Sequence, residues 1–276
     1  MTRIQIALAQ IATRLGDIRG NQQKILDSIT RARKQKAHLL VTPELSVLGY
    51  GAGDIYIDKA RENLNALNAV VKHTTGLWAI VGFVDVDDYG FLYNAAALIG
   101  DGKIHGIHRK LQLVNYRLFD EKRYFKPGNR LEVFPTPFGR VGILICEDAW
   151  FPETARALAL RGADLLVCIG ASPYDRGKDK LWEDYLRVRC LDNIVPLAFC
   201  NQAGIQDGVT FWGGSMMFDA EGKVLKRGKL LHEDFVLAGI PAGDARHARR
   251  RDIRIREIRR DILQDVLQAY DDREKS

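Results

Sequence analysis

No stretch of this 276-residue sequence approaches the eighteen or so consecutive apolar residues that a membrane helix requires, so no membrane-spanning helix is expected. Cysteine is scarce. Cys146, Cys168, Cys190 and Cys200 include no Cys-x-x-Cys pair, and the histidines (His38, His73, His105, His108, His232 and His247) are scattered. Ligand spacing for zinc is therefore missing, and no metal is expected. There is no linker rich in Gly, Pro or Ser, no internal repeat, and no shift of composition before residue 240. One domain over residues 1–245 is expected, with a distinct C-terminal segment at 246–276. Met1-Thr2-Arg3-Ile4-Gln5-Ile6 runs straight into an alternating strand and does not read as a leader. A cytoplasmic protein with reduced thiols is expected.

The formal charge is +6, and much of it lies in Arg246-His-Ala-Arg-Arg-Arg-Asp-Ile-Arg-Ile-Arg-Glu-Ile-Arg-Arg260. Such a block suits nucleic acid or an acidic surface. The stronger reading is packing. Ile253, Ile255 and Ile258, then Ile262, Leu263, Val266 and Leu267, form an apolar stripe near helical spacing. Few aromatics interleave with the arginines, which argues against stacking on single strands. The segment is expected to pack on the body or on a second subunit.

Periodicity predicts strands over 4–10, 39–41, 79–84, 140–146, 165–169, 197–201 and 235–240. Helices are predicted over 21–36, 58–74, 152–161 and 179–192, with Pro152 opening the third. Hairpins are predicted through Gly100-Asp101-Gly102 and Ala220-Glu221-Gly222. Residues 111–130 read as a long polar loop. About ten strands alternating with four main helices imply mixed sheets covered by helices, an α/β fold.

The most informative segment is Gly139-Arg-Val-Gly-Ile-Leu-Ile-Cys-Glu-Asp-Ala-Trp-Phe-Pro152. A short buried strand ends in a thiol, two carboxylates and a helix start, and in α/β sheets ligands collect at such strand ends. A lone cysteine in an apolar strand usually just packs, and Cys168 and Cys190 fit that description; Cys200 is left open. Glu44 and Lys110 also stand at predicted strand ends. Together the three make coherent chemistry. A carboxylate takes the thiol proton, and a lysine ammonium favours the thiolate and stabilises the oxyanion formed on a carbonyl. The backbone N–H of Glu147 could be a second oxyanion donor.

These segments resemble the carbon–nitrogen hydrolase (nitrilase) superfamily over residues 4 to about 240. The resemblance lies in Thr42-Pro-Glu-Leu-Ser46 with Gly49-Tyr50, in His108-Arg-Lys-Leu-Gln-Leu113, and in Gly142 to Trp150, in the family's order. It is similar in particular to the glutaminase domain of glutamine-dependent NAD synthetases, through Leu113-Val-Asn-Tyr116, Phe119-Asp-Glu121, Ala171-Ser-Pro-Tyr174 and Asn201 to Asp207. That branch's Tyr-Pro-Pro-Glu-Asp is here Tyr50-Gly-Ala-Gly-Asp54, and no Ser-Gly-Gly-x-Asp-Ser pyrophosphatase loop occurs in the sequence.

The resemblance implies a dimerising four-layer α-β-β-α sandwich with no cofactor. It implies Glu44, Lys110 and Cys146 as the catalytic set, with Glu121 positioning the base and lysine or assisting proton transfer. Tyr116, Glu147, Ser172 and Lys178 would bind a glutamine-like substrate. The implied activity is hydrolysis of a small carboxamide to acid and ammonia through a cysteine thioester. The alternatives are an ammonia-supplying subunit acting with a separate NAD synthetase, and a binding module of the same fold without activity.

Overall fold

The computed structural model describes residues 3–241 and 243–275. In chain order the elements are β1 (Arg3–Gln10), α1 (Ile18–Lys34), β2 (Leu39–Val41), α2 (Ile55–Asp58), α3 (Ala60–Val71), β3 (Trp78–Val86), β4 (Leu92–Gly100) and β5 (Lys103–Arg109). Then come α4 (Glu121–Tyr124), β6 (Val133–Thr136), β7 (Gly139–Ile145), a 3-10 turn over Cys146–Trp150, α5 (Pro152–Leu160), β8 (Leu165–Gly170) and α6 (Lys178–Asn193). The chain closes with β9 (Leu197–Asn201), β10 (Ala203–Gln206), β11 (Val209–Trp212), β12 (Met216–Phe218), β13 (Val224–Arg227), β14 (Asp234–Pro241), α7 (Asp244–Arg251) and α8 (Arg260–Lys275).

Two six-stranded sheets result, ordered β14-β1-β2-β3-β4-β5 and β13-β12-β9-β8-β7-β6. Each has three parallel strands at its centre (β1, β2, β3 and β7, β8, β9) and antiparallel strands outside them. The parallel steps need crossovers, which α1, α3, α5 and α6 supply.

Strand alternation then dictates the layers. In β1, Ile6 and Leu8 face the second sheet, while Ala7 and Ala9 lie under α1. In β7 and β8, Ile143, Ile145, Val167 and Ile169 face the first sheet, while Leu144, Leu166 and Cys168 lie under α5 and α6. Three apolar layers between four layers of structure give the expected α-β-β-α sandwich. Ile25, Ile29 and Ala32 of α1 bury on the face that their spacing predicts.

Several boundaries differ from expectation. Helix α1 starts at Ile18, three residues early, because the Asp17 carboxylate accepts the Gly20 N–H at 3.0 Å and caps it. Strand β6 and the β10–β11 pair were not expected, because they are four residues each and poor in regular alternation. The C-terminal stripe is not one helix: α7 ends at Arg251 and α8 begins at Arg260, with Ile253, Ile255 and Ile258 between them. Every position of α8 whose burial is described is exposed, so it does not pack on its own body. Cys190 buries against the core, as expected. Cys200, left open by the sequence, lies between the sheets, its Sγ 3.3 Å from the Val41 carbonyl oxygen.

Candidate active site

Glu44, Lys110 and Cys146 each stand just past a strand, following β2, β5 and β7 respectively. Two of the three ends bend through the left-handed region at non-glycine residues, Leu45 at φ +49° and Cys146 at φ +46°. Such conformations cost about 1–3 kcal/mol each and persist only where the surroundings enforce them. At the first bend enforcement is steric. A Cβ on Gly82 of β3 would lie 2.2 Å from the Pro43 carbonyl oxygen and 2.6 Å from the Leu45 nitrogen, so only glycine admits the turn here. Ser46 Oγ adds a bond to the Gly82 carbonyl at 3.1 Å.

The turn carries Glu44 inward, to zero exposure. Its Oε1 accepts from Lys110 Nζ at 2.7 Å and from Asn94 Nδ2 at 2.7 Å. Its Oε2 accepts from the Ala171 N–H at 2.9 Å. Lys110 Nζ also donates to Glu121 Oε1 at 2.7 Å. Glu121 Oε1 takes the Tyr50 hydroxyl at 2.6 Å, and its Oε2 the Val114 N–H at 3.0 Å. Glu121, which as a loop carboxylate could equally have faced solvent, is thus buried on the first turn of α4. One ammonium lies between two carboxylates, all of them out of water.

The electrostatics follow from burial and these neighbours. Burial pushes the Glu44 carboxyl above its ordinary pKa, against the pull of Lys110, so it is a stronger base than a surface glutamate. Burial opposes the charge on Lys110, yet Glu121 and Glu44 outweigh it and hold the lysine well above its usual value. Burial and Glu44 push the Cys146 thiol well up. Lys110 acts in the direction the sequence suggests, favouring thiolate, but does not prevail. An unassisted thiolate is therefore disfavoured at Cys146, and chemistry at the sulfur would need a neighbouring base.

Three of the four candidate substrate residues are placed near Cys146: Glu147 follows it, and the Cys146 charge acts on Tyr116 and Lys178. Tyr116 is exposed, and its hydroxyl sits 3.4 Å from Glu147 Oε1, at the outer limit of a hydrogen bond. Burial lowers the Lys178 pKa, while the Cys146 and Glu147 charges act on it in the opposite sense. Ser172 is buried; its N–H bonds Asn201 Oδ1 at 2.9 Å, and its hydroxyl has no protein partner. A cavity of about 280 Å³ adjoins the buried cluster, with Tyr50, Phe119, Glu121, Phe125, Gln206 and Phe211 among its walls. Cys146 is not one of them, so the cavity reaches the glutamate–tyrosine side of the cluster and not the thiol.

Sequence reasoning missed Asn94, the Tyr50 hydroxyl and Asp148. Asn94 was signalled by being the one amide inside Leu92-Tyr-Asn-Ala-Ala-Ala-Leu-Ile99. Asp148 was visible only as the second acid after Cys146, and its partners come from a strand that the sequence cannot place beside it.

Residues 5–250 match a protein family described as carbon-nitrogen hydrolase. The glutamine-dependent NAD(+) synthetase of Thermotoga maritima is 42% identical over 242 residues, covering 86% of this chain and 42% of that protein. The chain thus spans less than half the length of that relative. Among solved structures, a carbon-nitrogen hydrolase from Helicobacter pylori G27 superposes with a TM-score of 0.88 at 26% identity, over 96% of this chain and 99% of that one. An amidase from Nesterenkonia sp. superposes with a TM-score of 0.83 at 26% identity, over 95% of each chain.

Proposed function

Because the chain belongs to the carbon–nitrogen hydrolase family, we propose that it hydrolyses a small, glutamine-like carboxamide to acid and ammonia through a thioester on Cys146. One observation carries the reading: a buried glutamate of raised basicity shares a lysine with a second glutamate, and the charges of all three act on a thiol held on a left-handed turn.

In this mechanism Glu44 takes the Cys146 proton and the sulfur attacks the amide carbon. Lys110 Nζ and the Glu147 N–H hold the oxyanion; losing one such donor typically costs about 3–4 kcal/mol of barrier. Glu44 returns its proton to the departing nitrogen, and ammonia leaves. Glu44 then deprotonates water, which cleaves the thioester, and the proton passes to the Cys146 sulfur. Glu121 accepts a second bond from Lys110 and so helps to aim the ammonium. Tyr116, Glu147, Ser172 and Lys178 hold the substrate, with Glu147 suited to an α-ammonium and Lys178 to an α-carboxylate.

A second reading, in which the ammonia passes to a separate NAD synthetase, is supported by the 42% identity to a glutamine-dependent NAD(+) synthetase, of whose length this chain spans 42%. The third, a binding module without turnover, is distinguished by a glutamine-like electrophile: one adduct on Cys146, seen by intact mass, supports catalysis. We read residues 246–276 as a contact between two copies, supported by the exposure of Ile262, Leu263, Val266 and Leu267 on α8. A monomer in light scattering overturns that part alone. The central test is ammonia release over a panel of small amides by the wild type and by Cys146→Ala. Equal rates end the proposal.

A further inference from the structure

Asp148 is fully buried and accepts four hydrogen bonds. Its Oδ1 takes the N–H groups of Leu111 at 3.0 Å and Gln112 at 2.9 Å. Its Oδ2 takes the Ile145 N–H at 3.0 Å and His108 Nε2 at 3.0 Å. A carboxylate offers about four acceptor sites, so its capacity is filled, and the His108 contact requires a proton on Nε2. The location of the four donors is the informative point. Three lie within two residues of Lys110, and the fourth immediately precedes Cys146.

These two segments belong to different sheets. Lys110 follows an edge strand of the first and Cys146 a strand of the second, so no ladder bond fixes one against the other. Between the sheets lie apolar side chains, whose attraction has no direction and does not by itself set a separation. Asp148 supplies directed bonds across that gap. It also closes the turn that holds Cys146 at φ +46°, since its carboxylate reaches back three residues to the Ile145 N–H. Its own backbone is fixed in turn, its carbonyl accepting from Thr154 Oγ1 of α5 at 2.6 Å.

We propose that Asp148 is a positioning residue: it locks the nucleophile turn and the lysine strand end at one separation, with His108 as its side-chain partner. The claim rests on the proposed roles of Cys146 and Lys110. It goes beyond them in assigning the rigidity of the site to a carboxylate that touches neither reacting group.

The test is Asp148→Asn, which keeps the shape but turns one oxygen into an NH2 that cannot accept an N–H. Two readouts are followed, ammonia release and alkylation of Cys146 by iodoacetamide. Cys168, Cys190 and Cys200 are fully buried, and intact mass verifies the single adduct. A displacement near 1 Å costs about 100-fold, so kcat should fall by about that factor, with KM changed less than about threefold. The pH at which Cys146 becomes reactive should move upward, because the lysine that favours thiolate is no longer held beside it. A merely structural role lowers the melting temperature and leaves that pH limb in place. His108→Gln, which leaves three of the four bonds, should shift the limb in the same direction with a loss of about 5–10-fold, the weight of one hydrogen bond. It decides the matter should Asp148→Asn fail to fold. A folded variant with wild-type alkylation and an unmoved limb overturns the proposal. If wild-type protein alkylates but cleaves no amide, the amidase reading falls while the alkylation comparison still tests Asp148.

Discussion

The turn after β2 and the turn after β7 solve one geometric problem in two ways. Both end a central parallel strand, both pass through the left-handed region at a residue with a side chain, and both carry a candidate catalytic group to the same rim. The acid turn is enforced by shape, because the missing side chain of Gly82 leaves room that nothing else could fill. Its glutamate is then bonded on both oxygens by Asn94, Lys110 and Ala171. The thiol turn is held by polar bonds converging on Asp148, and Cys146 itself is only partly buried. The difference matches the tasks proposed for the two groups. A base that must take and return a proton gains from full burial, which raises its pKa. A nucleophile that must meet a substrate has to remain accessible.

The comparison is broken most completely by removing the groups the turns deliver. Cys146→Ala should lower ammonia release by about 10⁴-fold or more, with the melting temperature nearly unchanged, since removal of a nucleophile strands the rest of the unit. Glu44→Gln keeps the side chain's shape and removes its basicity. It should cost about 10²–10⁴-fold in kcat while Cys146 still accepts a strong electrophile, as read by intact mass. Gly82→Ala tests the steric clamp alone. It should destabilise the fold by about 1–3 kcal/mol in urea titration and depress kcat without touching the site.

The pH dependence sharpens the contrast further. Glu44 must be ionised to act, and burial raises its pKa, so kcat/KM should fall on acidification through a limb lying above the ordinary glutamate range. Glu44→Gln should erase that limb from whatever activity remains. The smallest effect is expected for Tyr50→Phe, which removes the 2.6 Å bond to Glu121 and should cost about 1–3 kcal/mol of stability with only a modest change in rate.

Much of this was legible in the sequence, for a physical reason. Continuous apolar runs such as Leu39-Leu-Val41 and Val141-Gly-Ile-Leu-Ile145 mark central strands, so the residues that follow them are marked as rim positions. Strand ends can thus be read locally. What holds them cannot. The bond from Ala171 to Glu44 joins residues 127 apart, and that from Gln112 to Asp148 joins residues 36 apart. Nothing in a local window encodes such partners. Asp17 was missed for the opposite reason: a short cap ahead of a polar helical turn carries little hydrophobic signal. The break between α7 and α8 was hidden by isoleucines whose spacing imitates a continuing helix.

The Ala171 bond places one of the three hydrogen bonds to Glu44 in the sheet that bears Cys146, although Glu44 itself belongs to the other. The dry seam between the sheets, where Ala198 and Val167 lie without exposure, therefore works like the spacer in an optical mount. On the proposed mechanism, enlarging a residue there would detune turnover before it unfolds the chain. The side chains of that seam would then belong to the proposed chemistry although no substrate meets them.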